Sequence, residues 1–153
     1  MRIPKSLTPM ALVVLACTVL LPGGHSSAGS SPSHPIETTI CDLVKYPSRF
    51  SGKLVRVRAL VKSDGIEHTV LVDDSCKSQG VAPSVPKENS GHPDMEQLHH
   101  AIFRVGRPGT AGKRITGIFV GTYSWHRKKV PSRVLTLRNV QHLRVELDHD
   151  RTQ

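Results

Sequence analysis

The chain has few aromatic residues and no long apolar run, and each shortage excludes a class of protein. Phe, Trp and Tyr make up only 4% of the 153 residues, so an aromatic-rich binding groove would depend on very few side chains. No stretch reaches the ~20 apolar residues of a membrane-spanning helix, which excludes a multi-span membrane protein. The length also excludes a large enzyme with a separate cofactor domain.

The motifs of common enzyme classes are also missing from the sequence. There is no Gly-x-Ser-x-Gly elbow, which serine hydrolases of the α/β type use. The glycine-containing segment 106–112 has no helix pattern after it, so it does not resemble a phosphate-binding loop. Asp73 and Asp74 are adjacent in an extended segment and would point to opposite faces, so they would not act together as acid and base. We therefore expect a non-enzymatic protein without a small-molecule cofactor.

The N-terminal segment has the pattern of a secretory signal peptide. Arg2 and Lys5 precede an almost unbroken apolar run over residues 7–21, and small residues follow at 26–28. A positive start, an apolar stretch and a small-residue cleavage site are the three parts of such a signal. The sequence therefore predicts a signal peptide over residues 1–28 and export to the periplasm or the outside of the cell.

Two alternatives to a simple signal peptide remain at this end of the chain. The apolar run would act as an uncleaved N-terminal anchor if no peptidase cut it. Cys17 lies in a weak lipoprotein-like context, but bulky Leu15 precedes it and the apolar run continues beyond it. Lipidation at Cys17 is therefore the less favoured interpretation.

Two cysteines, Cys41 and Cys76, remain after removal of the predicted signal peptide. An even pair in an oxidising compartment predicts one disulfide bond. A redox pair or half of a metal site are the alternatives, but the sequence has no Cys-x-x-Cys spacing. The predicted disulfide would pin a short N-terminal helix, which ends before Pro47, across the end of a hairpin.

The mature chain is mainly extended in pattern. We expect a disordered leader over 29–37, a single domain over 38–147, a long loop over 77–100 and a frayed tail over 148–153. Apolar residues alternate with polar ones in most of the strand candidates, as in half-buried strands. The predicted strands cover residues 53–62, 69–72, 101–105, 114–125 and 134–147.

These elements favour a small, five-stranded OB-like barrel with one short N-terminal helix. Closing the sheet removes exposed edges, which a small all-β chain must protect. Gly117 and Gly121 are placed for a bend or bulge in the fourth strand, and Asn139 interrupts the pattern of the fifth. A simple antiparallel sandwich is the alternative architecture.

The first half of the domain carries a recognisable set of residues, namely Cys41-Asp42-Leu43-Val44, Tyr46-Pro47, Phe50, Gly52-Lys53 and Val55-Arg56-Val57-Arg58. This set resembles the opening of uncharacterised exported bacterial proteins of OB-like fold. The resemblance is strong over 38–76, where those proteins also place a cysteine after the second strand, weak over 112–146, and lost over 77–110. It implies an OB-like fold and export, and it implies no activity or site residues.

A cluster of ligand-type side chains in the long loop is one candidate site. His92, Glu96, His99 and His100 lie close together in the sequence, and imidazole and carboxylate groups bind zinc or copper. The chain has 9 histidines, so such clusters also arise by chance. A polar, mobile loop is the alternative interpretation.

A second candidate site combines two aromatic residues with three consecutive cations. Tyr123 and Trp125 share one face of a predicted strand, and Arg127, Lys128 and Lys129 follow in the next loop. Stacking aromatics beside cations suit single-stranded nucleic acid or an acidic glycan, and OB-folds use such loops. Alternatively, Trp125 plugs the end of the barrel and the cations keep a hairpin tip soluble.

A basic row on the first long strand is the third candidate. Arg56 and Arg58 point to the polar face of this strand, where cations can follow a polyanion. An ordinary solvated face is the alternative. With 21 Lys and Arg against 12 Asp and Glu, the sequence favours an exported binding module for an anionic polymer or an envelope protein. A metal-binding protein using residues 92–100 is the second function, and no feature indicates the oligomeric state.

Overall fold

The computed structural model describes residues 34–76 and 79–148, so the predicted signal peptide, Cys17 and most of the predicted leader and tail lie outside the described residues. No helix in the described ranges is long and apolar enough to cross a bilayer. A 3₁₀ turn covers Lys87–Asn89, and the helices are α1 (Ile40–Lys45), α2 (Pro47–Phe50) and α3 (Pro93–Phe103). The strands are β1 (Ile36–Thr38), β2 (Leu54–Ser63), β3 (Thr69–Val72), β4 (Gly80–Ser84), β5 (Lys113–Trp125) and β6 (Arg133–Leu147).

Strands β2 to β6 form a closed, five-stranded barrel. Neighbouring strands follow the order β2, β3, β4, β6 and β5, and β5 pairs back to β2. The β4–β6 pair is parallel and the other pairs of the barrel are antiparallel. β1 lies outside the barrel and runs parallel to β2, with Ile36 opposite Val55. The predicted mainly β fold with a small OB-like barrel is confirmed.

Alternation along the strands explains where the core lies. Every second residue of β2 and β5 points inward, including Val55, Val57 and Phe119, which are 0–1% exposed. The β5–β6 register shifts between Thr116 and Ile118 and between Val120 and Gly121. A Cβ atom at Gly121 would collide with the backbone carbonyl of Thr136. This glycine therefore permits the close approach of the two strands at the predicted bulge.

The third strand was predicted in the wrong place. Residues 101–105 were expected to be extended, but they belong to α3 and the turn that follows it. The buried face of α3 explains this, because Met95, Leu98 and Ile102 recur at helical spacing. The true third strand is β4, inside the segment 77–100 that was predicted to be a loop. β4 contains glycine and proline and buries only Val81, so it carries almost no alternating pattern.

The predicted C-terminal boundary of the disordered leader is also wrong. Residues 29–37 were expected to be disordered, but β1 begins at Ile36 and hydrogen-bonds along the first half of β2. The Nε atom of Arg56 lies 3.5 Å from a carboxylate oxygen of Glu37, which links the two strands on the solvent side. The ordered domain therefore starts earlier than the sequence indicates. A strand of three residues has too short a pattern to be recognised in the sequence.

The predicted helix and disulfide at the N-terminal end are confirmed. The side chain of Thr39 accepts a hydrogen bond from the backbone N–H of Asp42 at 3.0 Å and so caps α1. Cys41 in α1 and Cys76 after β3 form a disulfide bond, with their Cα atoms 5.4 Å apart. This bond fixes α1 beside the β3–β4 connection, and it is compatible with an oxidising, exported compartment.

Buried polar contacts hold α3 against the barrel. Lys113 is only 5% exposed. Its Nζ atom donates a hydrogen bond to the carbonyl oxygen of Ile102 at 3.0 Å and another to that of Val105. A cation at the C-terminal end of a helix satisfies carbonyls that have no partner within the helix. Burial lowers the pKa of Lys113. The start of β5 is therefore joined to the end of α3.

The opposite end of α3 is joined to β6. A carboxylate oxygen of Asp94 accepts a hydrogen bond from the backbone N–H of Val140 at 2.7 Å and one from the Asn139 side chain at 3.2 Å. The Asn89 side chain donates to the carbonyl oxygen of Leu137 at 3.1 Å. These groups of β6 lie beyond its short pairing with β4, which ends at Thr136. Side chains thus take the place of a neighbouring strand there.

Candidate ligand-binding cleft

Two loops border an open cleft of about 840 Å³ over the outer surface of β3 and β4. The first, the acidic loop, comprises residues 64–68 between β2 and β3. The second, the basic loop, comprises residues 126–132 between β5 and β6. Outward side chains of β3 and β4 form the floor, including Val70, Ala82 and Pro83. The floor is therefore apolar, and the two walls carry the charge.

Asp64 organises the acidic loop. One of its carboxylate oxygens accepts hydrogen bonds from the backbone N–H groups of Ile66 at 2.8 Å, Glu67 at 3.1 Å and His68 at 3.0 Å. These bonds favour the ionised form and hold the pKa of Asp64 below its usual value. Ile66 at the tip is 82% exposed. The loop thus presents a fixed apolar tip between two acidic residues.

Backbone hydrogen bonds close the basic loop. The N–H of His126 donates to the carbonyl of Ser132 at 2.8 Å, and the N–H of Lys129 donates to that of His126 at 3.2 Å. Arg127, Lys128 and Lys129 are exposed, and Val130 is 100% exposed. Lys129 and Val130 line the cleft directly. This loop therefore presents an apolar tip beside three cations.

Arg133 lies where the basic loop enters β6, and it also lines the cleft. It is opposite Trp125 in the β5–β6 register. Its Nε atom is buried and has no hydrogen-bond partner, although a buried N–H without a partner is costly. Burial raises the pKa of Tyr123, and the positive charge of Arg133 partly opposes this rise. Arg133 therefore brings positive charge to the edge of the cleft, while its Nε lies in the protein interior.

Tyr123 does not have the stacking role that the sequence predicts. Its side chain is 0% exposed, and its hydroxyl donates to the backbone carbonyl of Leu43 at 3.0 Å. The alternation that placed Tyr123 and Trp125 on one face was correct, but that face is the interior of the barrel. A ring without exposed surface cannot stack on a ligand. Tyr123 is a core residue that joins β5 to α1.

Trp125 takes an intermediate position between the two predicted roles. It is partly buried and packs against the core. The guanidinium carbon of Arg127 lies 5.7 Å from the centre of its ring, within the range of a cation–π contact. Trp125 therefore joins the core to the basic loop through its contact with Arg127, and it is not among the residues that line the cleft.

The predicted basic row on β2 is separate from the basic loop. Arg58 is exposed and lines a smaller cleft of about 490 Å³, near an ion pair of Arg114 with Asp74 at 2.7 Å. Arg56 is half-buried and contacts Glu37. No residue lines both this cleft and the one between the loops. The cations predicted to act together therefore occupy two separate regions.

The histidine-rich segment is placed on α3. His92 precedes the helix, and Glu96, His99 and His100 are exposed on it. The last three line a groove of about 990 Å³ between α3 and β6. Within the described ranges, one group of three ligand-type side chains lies within metal-binding distance, but it consists of Asp73 and the disulfide-bonded Cys41 and Cys76, which offer no thiolate ligand. The structure does not bring the four predicted ligands together, and metal binding there stays a prediction.

The sequence predicted Lys129 as a binding residue but did not reveal most of the other residues that line the cleft. Arg133 was not among the predicted site residues, since nothing in its sequence neighbourhood shows that its side chain turns toward the barrel. The floor was missed because β4 was not recognised as a strand. Comparison of the chain with protein-family models, curated proteins and solved structures gives no match.

Proposed function

We propose that this protein is an exported, non-enzymatic binding module that holds an anionic polymer in the cleft between the acidic and basic loops. The observation that carries the proposal is the pair of cations there. Lys129 is exposed on one wall, and Arg133 lines the cleft where the basic loop enters β6. Ligand carboxylate, sulfate or phosphate groups would bind these two cations, and guanidinium groups bind such anions strongly.

The position of the cleft supports the same function. Small barrels of the OB type bind oligonucleotides and oligosaccharides on the face of their second and third strands, between the loops that correspond to the acidic and basic loops here. That generalisation concerns the fold and is used as an analogy. The chain adds its own cations at this place, together with a formal net charge of +9.

The lining of the cleft indicates how the polymer is held. No Phe, Tyr or Trp side chain is among the residues that line it, whereas nucleic-acid grooves of this type stack bases on aromatic rings. We therefore expect affinity to follow the charge of the polymer more than the presence of bases. Each phosphate or carboxylate that a cation neutralises releases a counterion, so binding should weaken steeply with salt.

Titration followed by tryptophan emission tests the proposal, because Trp125 is the single tryptophan and contacts Arg127 of the basic loop. The ligands are oligogalacturonate, oligothymidylate and neutral dextran. We expect salt-sensitive binding of the two anions and none of dextran. Lys129→Ala should lower the affinity about tenfold or less and flatten the salt dependence by about one charge.

A matched control separates a specific cleft from general charge. Lys87 is exposed in the 3₁₀ turn and does not line the cleft. Lys87→Ala should therefore leave binding unchanged, whereas Arg133→Gln should weaken it. Equal losses in Lys87→Ala and Lys129→Ala would show that only net charge matters and would refute the cleft. Absence of binding to both anions would leave an envelope protein as the partner class.

A further inference from the structure

We propose that two copies of this chain associate through the cleft, with the acidic loop of each copy placed against the basic loop of the other. This inference goes beyond polymer binding, because it assigns a second occupant to the cleft. It depends on the distribution of charge and exposed apolar surface over the two loops. It requires no ligand, so it can fail while the proposed function stands.

The exposed apolar residues point to a contact surface. Ile66 is 82% exposed and Val130 is 100% exposed, and the other exposed large apolar residues of the described ranges are 40–44% exposed. The two residues lie at the tips of the two loops that border one cleft. Single exposed apolar side chains are common, but two of them on the loops that border one apolar floor favour association.

The charges on the two tips are opposite. Asp64 and Glu67 flank Ile66, and Lys128 and Lys129 precede Val130. Glu67 and Lys129 both line the cleft. They form no ion pair with each other or with another described residue, since the ion pairs found there join Arg56 to Glu37 and Arg114 to Asp74. The complementary charges are therefore available to a second molecule.

A two-fold axis through the cleft satisfies both charges at once. In an isologous interface the same patch occurs on both copies, so a contact between residue i and residue j occurs twice. Glu67 of each copy then faces Lys129 of the other, and each Ile66 packs near the opposite Val130. An anionic polymer would contact the cations of the basic tip and leave the acidic tip without a partner. A second copy fits both tips.

The dimer and an anionic polymer would use the same lysine, so they exclude each other. By linkage, a ligand that binds only the monomer lowers the apparent association of the two copies. Because the contact consists of two small loops, we expect association to be weak and to be reduced by salt.

Charge reversal tests the symmetry directly by sedimentation equilibrium of the purified protein without ligand. We expect concentration-dependent dimers in low salt. Glu67→Lys alone and Lys129→Glu alone should each weaken association by about tenfold or more, since each change makes two repulsive contacts. A mixture of the two variants should restore association, because both facing pairs are then opposite in charge. The double variant should also dimerise.

Controls separate this interface from net charge and from folding. Lys87→Glu and Glu88→Lys make the same charge changes at exposed positions outside the cleft and should not alter association. Val130→Ser changes a fully exposed side chain, so it should weaken the dimer without changing the unfolding temperature. A protein that stays monomeric at high concentration would overturn the proposal. Dimers that Glu67→Lys and Lys129→Glu leave intact would overturn it as well.

Discussion

Removal of the disulfide gives the most direct test of how this small barrel is stabilised. The Cys41–Cys76 bond closes a loop with a sequence separation of 35 residues. In the chain-entropy model, opening such a loop in the unfolded chain costs about 4 kcal/mol of stability at 25 °C. For a domain of this length, that loss corresponds to a fall of about 15 °C in the unfolding temperature.

The double variant Cys41→Ser, Cys76→Ser is the suitable perturbation. The Sγ atom of Cys41 lies 3.2 Å from the hydroxyl of Ser75, so a serine hydroxyl at this position has a partner within reach. The variant should remain folded, because Ile40 and Leu43 of α1 are 0% exposed and the hydroxyl of Tyr123 still binds the carbonyl of Leu43. The native amide spectrum should change only near the substituted residues.

Urea denaturation and calorimetry of both proteins supply the measurement. Adding a thiol reductant should lower the stability of the wild type toward that of the double variant and leave the variant unchanged. If the unfolding free energy of the double variant lay within about 1 kcal/mol of the wild type, the loop-closure reasoning would be refuted. A large loss accompanied by a rearranged native spectrum would instead show that the bond holds α1 in place.

Three further changes probe single contacts. Tyr123→Phe removes the donor to Leu43, so we expect a loss of about 1–3 kcal/mol in urea denaturation with polymer binding retained; a loss of binding with full stability would contradict its core position. Gly121→Ala forces a methyl group against the backbone of Thr136 and should cost about 1–3 kcal/mol; an unchanged unfolding temperature would show that the bulge adapts. Three backbone N–H groups lower the pKa of Asp64, so its contribution is present above pH ~4 and is lost as the pH falls through the folded-state pKa. Asp64→Asn should remove the contribution of this carboxylate to the acid-dependent shifts of the amides of Ile66, Glu67 and His68, and an unchanged acid transition at these amides would refute this assignment.

The parts of the fold with a strong period were predictable from the sequence. β2 and β5 are long and bury alternate residues, so their patterns identified them, and the two glycines of β5 indicated its irregular register. The end of α1 was recognisable from Pro47. β4 was not recognisable, because only one of its side chains, Val81, needs to point into the core. Backbone pairing with the neighbouring strands holds the rest of β4 in the barrel.

The candidate site was predictable only in part, for a related reason. The cations of the basic loop can be identified in the sequence. The side of the barrel on which they lie depends on how β4 pairs with β6. Alternation placed Tyr123 and Trp125 on one face without showing whether that face is the inside or the outside of a barrel. Arg133 has the same parity as the buried Leu135, and only the closed barrel reveals its unpaired Nε.

The hydrogen bonds of Asp94 and Asn89 have a consequence for solubility. A strand edge with free N–H and C=O groups can recruit strands of other molecules. The two side chains occupy the N–H of Val140 and the carbonyl of Leu137, on the part of β6 that lies beyond β4. Because Asp94 belongs to α3 and Asn89 to the turn before it, a local opening of this region would uncover the edge while the rest of the barrel stays folded. Aggregation would then begin from nearly native molecules, at temperatures below the global unfolding transition.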